Sequence, residues 1–208
     1  MSTEKRTHIL TTAARLFSQQ GIRSITMDDI AREAGVSKKT IYSFYNNKQE
    51  LVEAFVKHFI FDCPELQFNI RPNINAIDQL FKYREKAAVL LELVKNKIDY
   101  DLKRLYPEIH RELQTFKRDL IYRIETALLA KGKQEGLFRP ELDDDFVARM
   151  SVGRSLLIFN PENDIFTDEE CLNMATFDKM LDFQLHAICT PRGIDYYEQE
   201  LNHIRNEN

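Results

Sequence analysis

Residues 26–51 run Thr26-Met27-Asp28-Asp29-Ile30-Ala31-Arg32-Glu33-Ala34-Gly35-Val36-Ser37-Lys38-Lys39-Thr40-Ile41-Tyr42-Ser43-Phe44-Tyr45-Asn46-Asn47-Lys48-Gln49-Glu50-Leu51. Thr26 reads as an N-cap, and Asp28 and Asp29 fall in the next turn, where carboxylates meet the positive end of a helix dipole. Ile30, Ala31 and Ala34 mark the buried face of a very short helix that stops at Gly35. Ser37 caps the following helix, which continues to Tyr45, and Val36 turns into the core between the two. Helices this short, separated by Ala34-Gly35-Val36-Ser37, have the dimensions of a helix-turn-helix. Asn46 and Asn47 end the second of them and cap another beginning near Lys48.

Upstream, Ile9, Ala13, Leu16 and Phe17 repeat at helical spacing within Lys5–Gln20, and Gly21 follows as a left-handed stop. Downstream, Leu51, Val52, Phe55, Phe59 and Ile60 supply the stripe of a helix over about 48–62, ended by Pro64, and a loop leads to Pro72. Ile77, Leu80, Phe81, Ala88, Leu91 and Val94 then repeat helically, with a break near Asn96. Pro107 suits a first helical position and opens a long amphipathic helix expected to end at Gly132. Residues 136–140 are a turn. Helices over 143–159 and 167–189 flank Asn160-Pro161-Glu162-Asn163, and a short one runs from Asp195 to Arg205. No repeat, low-complexity segment or strand pattern interrupts this series, so the reading is all-α.

Composition agrees. Of 208 residues 43% are hydrophobic and 30% charged, an ordinary globular balance. Glycine and proline number six each, about half the usual level, which disfavours turn-rich β architectures. The glycines are not spaced as G-x-G-x-x-G or G-x-x-x-x-G-K, so neither phosphate-cradling fingerprint is present. No G-x-S-x-G elbow occurs. Cys63, Cys171 and Cys189 form no C-x-x-C pair and sit at no zinc-ligand spacing from histidine, so they read as free thiols in a reducing compartment. His58, His110 and His186 are isolated. No cofactor and no metal are expected. The amino terminus leads into no apolar leader, and no apolar run approaches the roughly 20 residues of a membrane span; the expectation is a soluble cytoplasmic chain that meets no membrane. Net charge is −4, yet residues 1–50 carry eight Lys/Arg against five Asp/Glu, while the rest carry 21 against 28. A basic head on an acidic body points to a polyanion at the head.

The 26–51 stretch, with the Ile9–Gly21 helix before it, resembles the DNA-binding signature of the TetR family of bacterial transcriptional regulators. The resemblance covers roughly residues 5–60; beyond it the likeness is architectural. It implies a homodimer with helix-turn-helix heads over 1–50, a connecting helix over about 48–62, and a helical ligand-binding and dimerisation body over 63–208. It implies double-stranded DNA with a palindromic operator as partner, and a small-molecule effector. A recognition helix entering the major groove needs small or polar side chains at its first turn. Ser37, Lys38, Lys39 and Thr40 provide them, and Ser43 follows on the same face. Tyr42 and Lys48 match phosphate-binding positions of the family, and Thr26 is a third phosphate anchor. Lys39 departs from the small residue usual there, which marks it as a source of operator preference. Tyr45 reads as a packed aromatic.

For the body, the resemblance implies dimerisation through the helices over 143–159 and 167–189. Phe146, Met150, Gly153, Leu156 and Leu157 line the first, and Phe177, Leu181 and Leu185 the second. A mid-helix glycine at 153 costs about 1 kcal/mol against alanine, which close approach of another backbone would explain. An effector pocket among residues 75–160 could draw on Phe81, Tyr83, Tyr100, Phe116, Tyr122 and Phe159, with Arg84, His110 and Arg154 as polar groups. Each of these also reads as core filler or solvated surface. Asp143-Asp144-Asp145 suits a helix start rather than a metal site. No nucleophile with a neighbouring base is evident, so an enzyme with an accessory DNA-binding head is the weaker reading. Control by a protein partner, or a nucleoid role without inducer, is the alternative the sequence leaves open.

Overall fold

Each short helix near the amino terminus begins where a side chain closes its first turn. In the computed structural model, which describes residues 2–63, 69–94, 98–171 and 173–206, helix α1 is Ser2–Gln20. Gly21, at φ +83°, takes the left-handed turn after it. Helix α2 is Met27–Glu33, and its cap is a capping box: the Asp29 amide donates to the Thr26 hydroxyl while the Asp29 carboxylate accepts from the Thr26 amide. Ser37 caps α3, Lys38–Tyr42, by accepting from the Thr40 amide. Asn47 does the same for α4, Lys48–Val56, through the Glu50 amide. The chain then leaves α geometry for one π turn, Lys57–Phe61, closed by Asp62 N–H donating to the Lys57 carbonyl at 2.8 Å.

Further along lie α5 (Ala76–Val94), α6 (Ile98–Leu105), α7 (Pro107–Gln134), α8 (Asp144–Ile158), α9 (Asp168–Cys171), α10 (Met174–Ile188) and α11 (Pro191–Asn206). Among the described residues there is no strand, only a lone antiparallel bridge between Phe138 and Cys189. The all-α expectation holds. The stop at Pro64, the break near Asn96 and the side chains of Ala88, Leu91 and Val94 lie outside the described residues.

Helix α3 ends at Tyr42 rather than Tyr45 and α4 at Val56, where the π turn takes over, rather than near 62, and three later boundaries move as well. The α7 helix runs through Gly132 to Gln134, and Gly136 at φ +68° makes the turn instead. Gly132 is glycine for space: a Cβ there would sit 2.1 Å from the Phe138 ring. The single helix expected over 167–189 is two, because Asn173 caps α10 by accepting from the Ala175 amide. The last helix starts earlier, with Pro191 at its first position.

By contacts the chain forms two compact units, Met1–Gln67 with Glu92–Phe116, and Phe68–Leu91 with Lys117–Asn208. In the first, α1 packs on α2 and α4 around Ile9, Phe17, Ile30, Leu51 and Phe55, all essentially buried. Phe55 meets Phe17 edge-on at 5.5 Å between ring centres, and Phe61 packs on Phe116 at 4.9 Å. In the second, Leu128, Leu129, Phe138 and Leu185 form the core. No helix among the described residues is long and apolar enough to cross a membrane.

Candidate nucleic-acid interface

The turn between α2 and α3 depends on Gly35, at φ +63°, a left-handed conformation that most side chains resist. The turn is closed by Val36 N–H donating to the Ala31 carbonyl at 3.0 Å. Val36 and Phe44 are half-buried rather than fully enclosed. Ile41 is the one residue of α3 that is fully buried, so the rest of this helix presents its side chains outward. Tyr45 is 1% exposed, as a packed aromatic should be, with the Arg6 guanidinium 5.6 Å from its ring centre.

The eight expected contact residues differ in how far their polar atoms are already engaged. The Ser37 and Thr40 hydroxyls bond each other at 2.8 Å, and Ser43 donates to the Thr40 carbonyl at 2.6 Å. The Lys38 ammonium is paired with Asp28 at 2.8 Å, a partner that raises its pKa. Thr26 donates both its hydroxyl and its amide to the Asp29 carboxylate, which holds that acid below its usual range. Lys48 donates to the Ile22 carbonyl at 2.6 Å, and burial lowers its pKa against the opposing pull of Asp101 and Asp29. Lys39 is exposed and Tyr42 is 42% exposed, and among the described residues neither side chain makes a hydrogen bond. The α3 face therefore consists of fixed hydroxyls around two uncommitted groups.

The expected pocket residues are divided between the two units. Tyr100 and Phe116 belong to the unit that contains the head; Tyr100 is 55% exposed and accepts from Arg104, while Phe116 meets Phe61. Of the others, Phe81, Arg84, Tyr122 and Arg154 lie in the other unit, each engaged with a neighbour. Arg84 is ion-paired with Asp178, its Nη2 at 2.8 Å. Phe81 stacks on Tyr197 at 6.0 Å, and the Tyr122 hydroxyl donates to Asp145 at 2.8 Å. Arg154 alone joins a buried polar group. Its Nη2 donates to Gln184, whose Nε2 donates to Glu125 at 2.7 Å, while its Nε is buried without a partner. Burial pushes the Glu125 carboxyl up to about 7, against the lowering effect of Gln184, Arg154 and Ser151. The sequence reading passed over Glu125, although it lies three and four residues before Leu128 and Leu129 and so shares their buried face. A separate polar cleft of about 450 Å³, lined by Asn75, Glu135, Leu137, Arg192, Asp195, Tyr196 and Gln199, contains none of the expected pocket residues.

A capped helix-turn-helix whose second helix displays lysine, hydroxyls and a tyrosine is the DNA-reading head of a transcriptional regulator. Residues 9–55 match the family described as bacterial regulatory proteins, tetR family. The uncharacterized HTH-type transcriptional regulator YvaF of Bacillus subtilis is 30% identical over 156 residues, 74% of this chain and 80% of YvaF. Among solved structures, a transcriptional regulator from Cytophaga hutchinsonii superposes with TM-score 0.70 at 19% identity, over 88% of this chain and 97% of that one. A TetR transcriptional regulator from Chloroflexus aurantiacus gives 0.66 at 15% identity, over 90% and 98%. The chain belongs to the TetR family.

Proposed function

We propose that the chain is a homodimeric repressor that occupies a palindromic operator and is released from it by a small-molecule inducer. The observation that carries the reading is the recognition face, where Lys39 and Tyr42 stand uncommitted among pre-bonded hydroxyls. Lys39 reads bases, Tyr42 binds phosphate, and Ser37, Thr40 and Ser43 shape the first turn that enters the groove. Lys48 and Lys38 reach phosphate with the donors left over from Ile22 and Asp28. Thr26 serves mainly as a cap, its donors being spent on Asp29.

One small head makes few base contacts, and symmetry doubles them. The dimer reading is supported by α8, where Phe146, Met150, Gly153 and Leu157 form one stripe and the first two are 58% and 55% exposed. Nothing lies within 4 Å of a Cβ built at Gly153, leaving room for a partner. Phe183 on α10 is 68% exposed, whereas Leu181 and Leu185 are buried within the chain and so are not available to a partner. Two such helices from each copy make a four-helix interface. The inducer's polar contact is best assigned to Arg154, with Glu125 and Gln184 behind it. An inducer that binds better when the heads are wrongly spaced shifts the dimer from the operator-competent state.

Selection of bound duplexes from a random pool, followed by footprinting and light scattering, tests this reading. It expects a dyad-symmetric site with half-sites about 34–36 Å apart or a multiple of that, and a solution mass twice the 24.5 kDa chain. An asymmetric footprint bound by a monomer would overturn it. A footprint that no metabolite extract weakens would overturn the inducer half.

A further inference from the structure

We propose that Asp101, on α6, is a positioning residue for the DNA-binding head: together with Lys48 it clamps the single peptide group between Ile22 and Arg23 from both ends. The Asp101 carboxylate accepts the Arg23 backbone N–H at 2.8 Å. The Ile22 carbonyl, the other end of that same peptide group, accepts from the Lys48 ammonium at 2.6 Å. A negative group thus holds the donor end of one peptide dipole and a positive group the acceptor end, so each bond polarises the other.

The setting makes this arrangement more than a surface contact. Asp101 is 6% exposed, and Ile22 and Leu102 beside the clamp are fully buried. A carboxylate this enclosed is costly unless bonded, and among the described residues the Arg23 amide is its hydrogen-bond donor. The residues are distant in sequence: Arg23 lies between α1 and α2, Lys48 opens α4, and Asp101 sits 78 residues beyond Arg23. The clamp therefore ties α6 to the turn that precedes α2 and to the start of α4 within one compact unit. Lys48 is the residue assigned above to phosphate, so its direction of approach is set partly by a carboxylate that never touches DNA. This role rests on the DNA-binding reading of the head.

Charge alone and positioning predict opposite signs. Removing a negative charge next to Lys48 should, by Coulomb attraction alone, tighten DNA binding. Removing a positioning bond should loosen it. In the full chain, Asp101→Ala and Asp101→Ser, the latter too short to reach the amide, are expected to weaken operator and non-specific duplex alike by about tenfold, with the salt slope reduced by about one per head. Asp101→Asn keeps an acceptor for Arg23 N–H and is expected to bind within about threefold of the parent. Parental or tighter binding by folded Asp101→Ala or Asp101→Ser overturns the proposal. Residue-resolved amide exchange on the parent chain reads the clamp without DNA: Arg23 N–H should be protected, and exchange at the rate of an open loop overturns the proposal even if both truncations fail to fold. A parent that shows protected Arg23 yet binds no duplex would instead sink the DNA-binding reading.

Discussion

Lys39 and Tyr42 differ from their neighbours in having no local bond to give up on meeting DNA, so their replacement separates two kinds of contact. Tyr42→Phe removes one hydroxyl and should weaken every duplex alike by about 1 kcal/mol per head. Lys39→Ala should instead reorder a panel of operator variants, with about 1–3 kcal/mol of discrimination lost at one base position. Unchanged ranking would place Lys39 on the backbone. Glu125 makes a different test, because its folded pKa of about 7 lies above the ordinary carboxyl value. The folded state therefore holds this proton more tightly than the unfolded chain. Stability from this group is fully present below about pH 4.5 and is lost as pH rises through about 7, in total on the order of 3 kcal/mol. Glu125→Gln should flatten that part of the stability–pH curve, measured by chemical unfolding between pH 5 and pH 8; an unaltered curve would mean Glu125 is not the titrating group. Part of this was legible in sequence. Thr26, Ser37 and Asn47 announce their caps because capping is settled within three residues. Glu125 was hidden because an acid on an amphipathic helix normally reads as solvated, and only its register with Leu128 and Leu129 marks it as buried.

At the level of the element, the starts of α2, α3 and α4 follow local signals closely, whereas later errors arise where a distant residue decides. The apolar period of 167–189 continues across Asn173, and only the cap hydrogen bond breaks it into α9 and α10. Gly132 reads as a helix end, yet it lies inside α7 because Phe138, beyond the turn, packs where a Cβ would go. Two effects then compete in Gly132→Ala. Alanine gains about 1 kcal/mol in helix propensity, while forcing the Phe138 ring aside costs typically 1–3 kcal/mol. Crowding should win, since Phe138 is itself 1% exposed and has little room to yield. The variant should melt lower than the parent; a higher melting temperature would show that the ring relocates freely. Phe55, from the apolar stripe read over about 48–62, is buried against Phe17 in the head's own core.

For the whole molecule, sequence gave the order of helices and the nature of the head; it could not sort the stripes of α8 and α10 into inner and outer, since both consist of apolar residues at helical spacing. Burial does so: Leu181 and Leu185 face inward, Phe146, Met150 and Phe183 face out. Met150→Glu should then leave the fold intact, because Met150 is more than half exposed, and should halve the mass seen by light scattering at micromolar concentration. Operator affinity should fall with the loss of paired heads. A variant that stays dimeric would move the interface elsewhere. The π turn at Lys57–Phe61 has a further consequence, for the chain's tolerance of changes in length. A π turn holds one more residue than the α turn it replaces, so a one-residue deletion within it would restore regular helix and leave Lys48 and the clamp upstream undisturbed. The same deletion would rotate everything that follows by about 100°, turning Phe61 from Phe116, so the surplus residue can be lost only if that aromatic contact is rebuilt.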